Sequence, residues 1–250
     1  MRELLKDLSP DPDPETVHEL RTQTRKLEAV LHAFSPENTS EARHTLGLMK
    51  PVRRAAGRVR DMDVLIAKAA GLSSRVQSEG LARLTEHMSA IRAADARRLY
   101  RKVKRCRKKA RSSLKRLLRH LEHSQASMHN GASPGPSSSQ ILAQKLAHWP
   151  PLTPENLHEF RKGVKELHYM LQLVPDSDDH RMRSYARVKD ATGDWHDWMG
   201  LRCLAESVLD SNGDAPMLSE IRTILRQKLR EALNAANSLR KSGIDTPHAA

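Results

Sequence analysis

Along residues 17–34, VHELRTQTRKLEAVLHAF, apolar positions return every three or four residues. At about 100° per residue, Leu20, Leu27, Leu31 and Phe34 gather on one side of a helix. His18, Arg21, Arg25 and His32 fall within about 60° of one another on the opposite side. Residues 157–174, LHEFRKGVKELHYMLQLV, repeat the pattern. There Phe160, Val164, Leu167, Leu171 and Val174 form the apolar side, and His158, Arg161, Lys165, His168 and Tyr169 the polar one. Helical spacing runs through most of the chain, and alternating runs of β-branched residues are absent. The expected fold class is all-α.

Punctuation divides this pattern. SPDPDPET, residues 9–16, breaks the chain before a helix over 14–34. SPENTSEA, residues 35–42, reads as a loop in which Thr39 or Ser40 caps the next helix. That helix covers 41–70, with Pro51 expected to kink or break it, and a turn follows at Gly71 to Ser74. The pattern over 76–123 fits one very long helix or two in series. Further helices are expected over 140–149, 154–174, 178–209 and 215–240. SQASMHNGASPGPSSSQ is a low-complexity linker. The expected organisation is therefore a helical half over 1–125, a linker over 126–140, a second half over 141–240, and a tail over 241–250.

The two halves align without gaps over their first long helices. His18 matches His158, Glu19 matches Glu159, Leu20 matches Phe160, Arg21 matches Arg161, and Arg25 matches Lys165. Later, GRVRDMDVL (57–65) is echoed by GDWHDWMGL (193–201), with Gly57 on Gly193 and Asp61 on Asp197. Together the two matches suggest internal duplication.

Charge changes the picture. The chain has 43 Lys plus Arg against 30 Asp plus Glu, a formal +13. Residues 97–119 hold thirteen of the bases and no acid, so this stretch accounts for the whole excess. Arg97, Arg101, Lys104, Arg105, Lys108, Lys115 and Arg119 share one face of its helix; Val103, Leu114, Leu117 and Leu121 share the other. Like charges at i,i+4 oppose a helix by a few tenths of a kcal/mol per pair, and a counter-anion relieves them. A shorter run, Lys50, Arg53, Arg54 and Arg58, lies on the 41–70 helix, and Lys189 adds a cation in the second half. One basic stripe is ordinarily a solvated surface. Four, two of them related by an apparent repeat, point to a shared polyanion site, for which Arg forks and Lys ammonium groups are suited.

The polyanion is not one with bases to read. Three Trp, three Tyr and two Phe offer few stacking platforms, and no nucleic-acid-binding signature occurs. A nucleic-acid-binding helical protein is the alternative reading, with nucleic acid expected to bind more weakly. The start lacks an apolar targeting segment and no apolar run reaches about 18 residues, so no membrane partner is expected and the cytoplasm is the default. Cys106 and Cys203 form no framework, and Cys106 falls on a Leu-rich face as a core residue.

These motifs, H-E-L-R-x-x-x-R-K-L with R-x-R-D-M-D-V-L, then H-E-F-R-K-x-x-K-E-L-x-Y with G-x-W-H-D, resemble the CHAD domain, the conserved histidine α-helical domain. The resemblance covers about residues 10–240. It implies two four-helix bundles related by pseudo-twofold symmetry around a central basic pore. It also implies binding of inorganic polyphosphate, and in some members residence at polyphosphate granules. Carried over by position, the implied ligand residues are His18, Arg21, Arg25 and Lys26 in the first half and His158, Arg161, Lys165 and His168 in the second. Lys26 and His168 stand where the family has Arg. Glu28 and Glu166 occupy places where the family often has Arg, so some of the implied charge is missing. The chain lacks the E-x-E-x-K strand of the triphosphate tunnel domains to which CHAD domains are often fused.

A catalytic reading would need acidic metal ligands beside the phosphate. Asp61, Asp63, Asp194 and Asp197 could supply carboxylates, but such residues more often cap a helix or pair with a neighbouring Arg. His18 and His158 lack the H-x-x-x-H spacing of a metal pair. No Gly-rich phosphate loop or nucleophile triad occurs. The expectation is a non-catalytic polyphosphate binder without cofactor or metal, and a metal-dependent phosphohydrolase is a distant alternative.

Overall fold

A computed structural model describes residues 1–34, 40–73, 79–127, 138–172, 179–210 and 212–241. For residues 30, 32–34, 120–127, 138–139 and 179–181 only the backbone is described. Most of the linker, Thr39, Val174, the tail from 242 onward and the side chains of His32, Phe34 and Leu121 thus lie outside the described residues. Among the described residues there are eight helices and no strand: α1 (Arg2–Asp7), α2 (Pro14–Phe34), α3 (Ser40–Leu72), α4 (Glu79–Ser127), α5 (Ser138–Ala147), α6 (Leu157–Leu171), α7 (Asp179–Val208) and α8 (Ala215–Lys241). The protein is all-α. None of these helices is long and apolar enough to cross a membrane.

Local chemistry explains the boundaries. Asp13 caps α2: its carboxylate accepts the Thr16 N–H at 2.8 Å and the Thr16 hydroxyl at 2.6 Å. Pro14 then occupies the first helical position, where its missing N–H costs nothing. Ser40 is not the cap that the sequence suggests. It is already helical, and its hydroxyl donates to Glu41. Pro51 does not break α3, which runs through it for 33 residues. The carbonyl that loses its donor belongs to Gly47, which is exposed, so water can replace the missing N–H. Residues 79–127 form one helix of 49 residues. Helix α1 was not expected from the pattern; it buries Leu5.

The chain forms two compact units. The first contains Met1–Asp63 and Ile91–Ser137. Its core joins Leu5 and Leu8 to Val17 and Leu20 of α2, Val52, Ala56 and Val59 of α3, and Leu99, Val103 and Ala110 of α4. Thr45 and Ser113, both buried, satisfy each other by a hydroxyl bond of 2.7 Å. Arg92 staples the N-terminal segment to this unit. Its guanidinium bonds Asp63 at 2.9 Å, Asp11, and the Pro12 carbonyl.

The second unit contains Val64–Ala90 and Ser138–Ala250. Phe160, Val164 and Leu167 of α6 pack with Leu146 of α5, Tyr185, Val188 and Trp195 of α7, and Ala232, Ala236 and Leu239 of α8. The ends of α3 and α4 that belong to this unit are tied in by charge. Lys68 bonds Asp194, and Arg83 bonds the buried Asp214 at 2.7 Å.

Candidate polyanion-binding site

Within each unit the first long helix turns the same positions inward. Val17, Leu20 and Thr24 of α2 are buried, as are Leu157, Phe160 and Val164 of α6. The cations matched by the repeat lie away from those cores. His18 and Lys26 are exposed, and Arg21, Arg25, His158, Arg161 and Lys165 are partly exposed. The glycines of the echoed motif lie under the matched arginines. A methyl group on Gly57 would stand 3.9 Å from Arg21 Nε, and one on Gly193 would stand 3.9 Å from Arg161 Nη2. In each unit a bare stretch of neighbouring helix thus lets the guanidinium lie close to it.

His168 does not share this face. It is only 5% exposed and counts among the buried residues of α6. Its Nε2 lies 3.2 Å from Gln172 Nε2, and its Nδ1 has no hydrogen-bond partner among the described residues. Burial, reinforced by Lys189 and opposed by Asp190, lowers its pKa. The helical wheel assigned His168 to the polar side because it lies near the boundary, where packing decides. Lys189 is partly exposed and 3.3 Å from Asp190.

On α3, Lys50, Arg54 and Arg58 are exposed and Arg53 is partly exposed. Arg53 Nη2 lies 3.3 Å from Glu28 Oε1, whose other oxygen is 3.8 Å from Arg25 Nη1. A cleft of about 320 Å³ adjoins this cluster, lined by Thr24, Glu28, Arg43, Leu46, Gly47, Met49, Lys50 and Arg53. Arg58 Nε is 3.3 Å from Asp95, which also holds Arg98 at 3.1 Å. On α4 Arg97, Arg101, Arg105 and Lys108 are all exposed, opposite the buried Leu99, Val103 and Ala110.

His158 stacks on His196, with ring centroids 5.2 Å apart and planes 24° from parallel. Burial lowers the His158 pKa, and repulsion from His196, Lys162 and Arg161 lowers it further. Three of the four candidate carboxylates face a basic side chain. Asp63 pairs with Arg92, and Asp194 pairs with Lys68 and, at 3.1 Å, with Lys228. Asp197 lies 3.6 Å from His196. Among the described residues no group of three His, Cys, Asp or Glu is placed to hold a metal ion. Cys106 is partly buried against the first core, and that burial raises its pKa.

Glu28, Arg43 and His196 belong to these clusters and were not singled out for them by the sequence. A signal existed for Glu28, which follows Arg25 by three residues, the spacing of a helical ion pair. None existed for Arg43, since only packing brings it to the cleft.

The chain is all-α, with cationic side chains opposite the buried positions of its helices and several of its acids held in ion pairs. Residues 2–206 match the CHAD domain family, and the chain belongs to that family. The family is associated with polyphosphate binding. No curated protein and no solved structure matches the chain.

Proposed function

We propose that this protein binds inorganic polyphosphate without transforming it. The observation that supports this most is the repeated pairing of a cation with a glycine beneath it, Arg21 over Gly57 and Arg161 over Gly193. The ligand residues in this reading are His18, Arg21, Arg25, Lys26, Lys50, Arg53, Arg54 and Arg58 of the first half, joined by Arg97, Arg101, Arg105 and Lys108. His158, Arg161, Lys165 and Lys189 serve in the second. His168, being buried, is left out. In the finer form of the reading, one long phosphate chain engages cations of both halves. Recruitment to polyphosphate granules would follow from such binding.

Calorimetry with long-chain polyphosphate, competed by duplex DNA and by RNA at matched salt, tests this reading. Polyphosphate should win, and its affinity should fall steeply as salt rises, because each neutralised phosphate releases counterion. Arg21→Glu with Arg161→Glu should nearly abolish binding with helicity unchanged by circular dichroism, whereas Arg240→Glu with Lys241→Glu should do little. A loss larger than the two single changes together would mark one chain touching both. Tighter binding to nucleic acid, or release of phosphate with Mg²⁺, would overturn the reading.

A further inference from the structure

We infer that Glu28 is the internal counter-anion of the first unit's basic cluster and sets which phosphate ligands can enter it; this rests on the polyphosphate reading above. One carboxylate spans cations from two helices, 3.3 Å from Arg53 on α3 and 3.8 Å from Arg25 on its own helix. The pair is shielded, with the Arg53 side chain 19% exposed and that of Glu28 28%. It borders the cleft that Lys50 and Arg43 also line, so a phosphate group has room beside the carboxylate it must replace. The carboxylate of Glu166, the other acid that stands where the family often has Arg, is exposed and has no ion pair among the described residues.

The two acids therefore differ in kind. Glu166 only lowers the local positive potential. Glu28 occupies the forks that would hold phosphate oxygens, so a ligand that uses Arg53 must first displace it. A long chain can bind on cations outside this pair and leave it closed, whereas a short one confined to this cluster must open it. Glu28 thus selects for long, densely charged chains over short phosphates.

The test is calorimetry at fixed salt on wild type, Glu28→Gln, Glu166→Gln, Arg53→Gln and the Glu28→Gln/Arg53→Gln double variant. The probes are tripolyphosphate and long-chain polyphosphate. Releasing a partly shielded ion pair should tighten tripolyphosphate binding by about 3–10-fold in Glu28→Gln. The gain for the long chain should be smaller, and Glu166→Gln should change either affinity less than about twofold. Arg53→Gln should weaken binding more in the Glu28→Gln background than in wild type, because there the guanidinium need not first leave Glu28. Equal gains in Glu28→Gln and Glu166→Gln, equal gains for both probes, or an additive cycle overturn the inference and leave the functional reading standing. A wild type that binds neither probe overturns both.

Discussion

His168 shows how a single buried side chain couples folding to pH. Burial makes the proton harder to hold in the folded chain than in the unfolded one, where a histidine titrates near 6.5. Above about 6.5 the ring is neutral in both states and pH has no effect through it. As pH falls below that value the unfolded chain takes up the proton first, so stability is lost until the depressed folded value is passed. His168→Leu removes the titration and an unpartnered Nδ1 together. The fall in Tm between about pH 7.5 and pH 5 should therefore be smaller in this variant than in wild type, measured by thermal circular dichroism. His158 shifts in the same direction, but it is more exposed, so His158→Gln should remove less of the acid sensitivity. The periodicity of residues 157–174 identified the cationic side of this helix, yet it could not separate His168 from Lys165. A wheel assigns angle, and burial at its boundary depends on what the neighbouring helix brings.

At the scale of elements, the Arg92 staple carries the clearest energetic consequence. Asp63, 4% exposed by its side chain, relies on Arg92 as its charge partner, and the same guanidinium holds Asp11 and the Pro12 carbonyl. Arg92→Met would leave a buried carboxylate uncompensated and release the segment before α2. Breaking such a pair from one side costs about 3–5 kcal/mol. Urea unfolding should show a loss near the lower figure of about 3 kcal/mol, because Asp11 is exposed and contributes little. Asp63→Leu combined with Arg92→Met should recover much of it, since no charge is then left buried. The staple was half legible. Asp63 was expected to pair with an arginine, but nothing in local spacing pointed to one 29 residues away.

At the scale of the whole molecule, the family match ends at residue 206, whereas the second core does not. Ala232, Ala236 and Leu239 of α8 pack with Phe160, Val164 and Trp195. Truncation after Asp210 would expose those apolar surfaces. Burial of each large side chain is worth about 1.5–3 kcal/mol, so losing several is comparable with the net stability of an ordinary domain. The truncated chain should lose more ellipticity than the removed helix accounts for, and it should bind a hydrophobic dye. Unchanged helicity per residue in the truncated chain would mean that α8 is dispensable.

The helical class, nearly every long helix and the side of each that carries charge were legible in the order of residues. These follow from an interval of 3.6 residues and from capping residues, which act over one turn. That order also carried the family, because the repeated His and Arg positions lie within short windows. Packing was needed to show that α3 survives Pro51, that 79–127 is a single helix, and that residues 64–90 belong with the second unit. It alone paired Glu28 with Arg53, Lys68 with Asp194, and Arg83 with Asp214. The physical reason is that opposite charges attract without regard to sequence. In a chain of 43 bases and 30 acids many pairings are electrostatically acceptable, and the packing of the apolar faces selects among them.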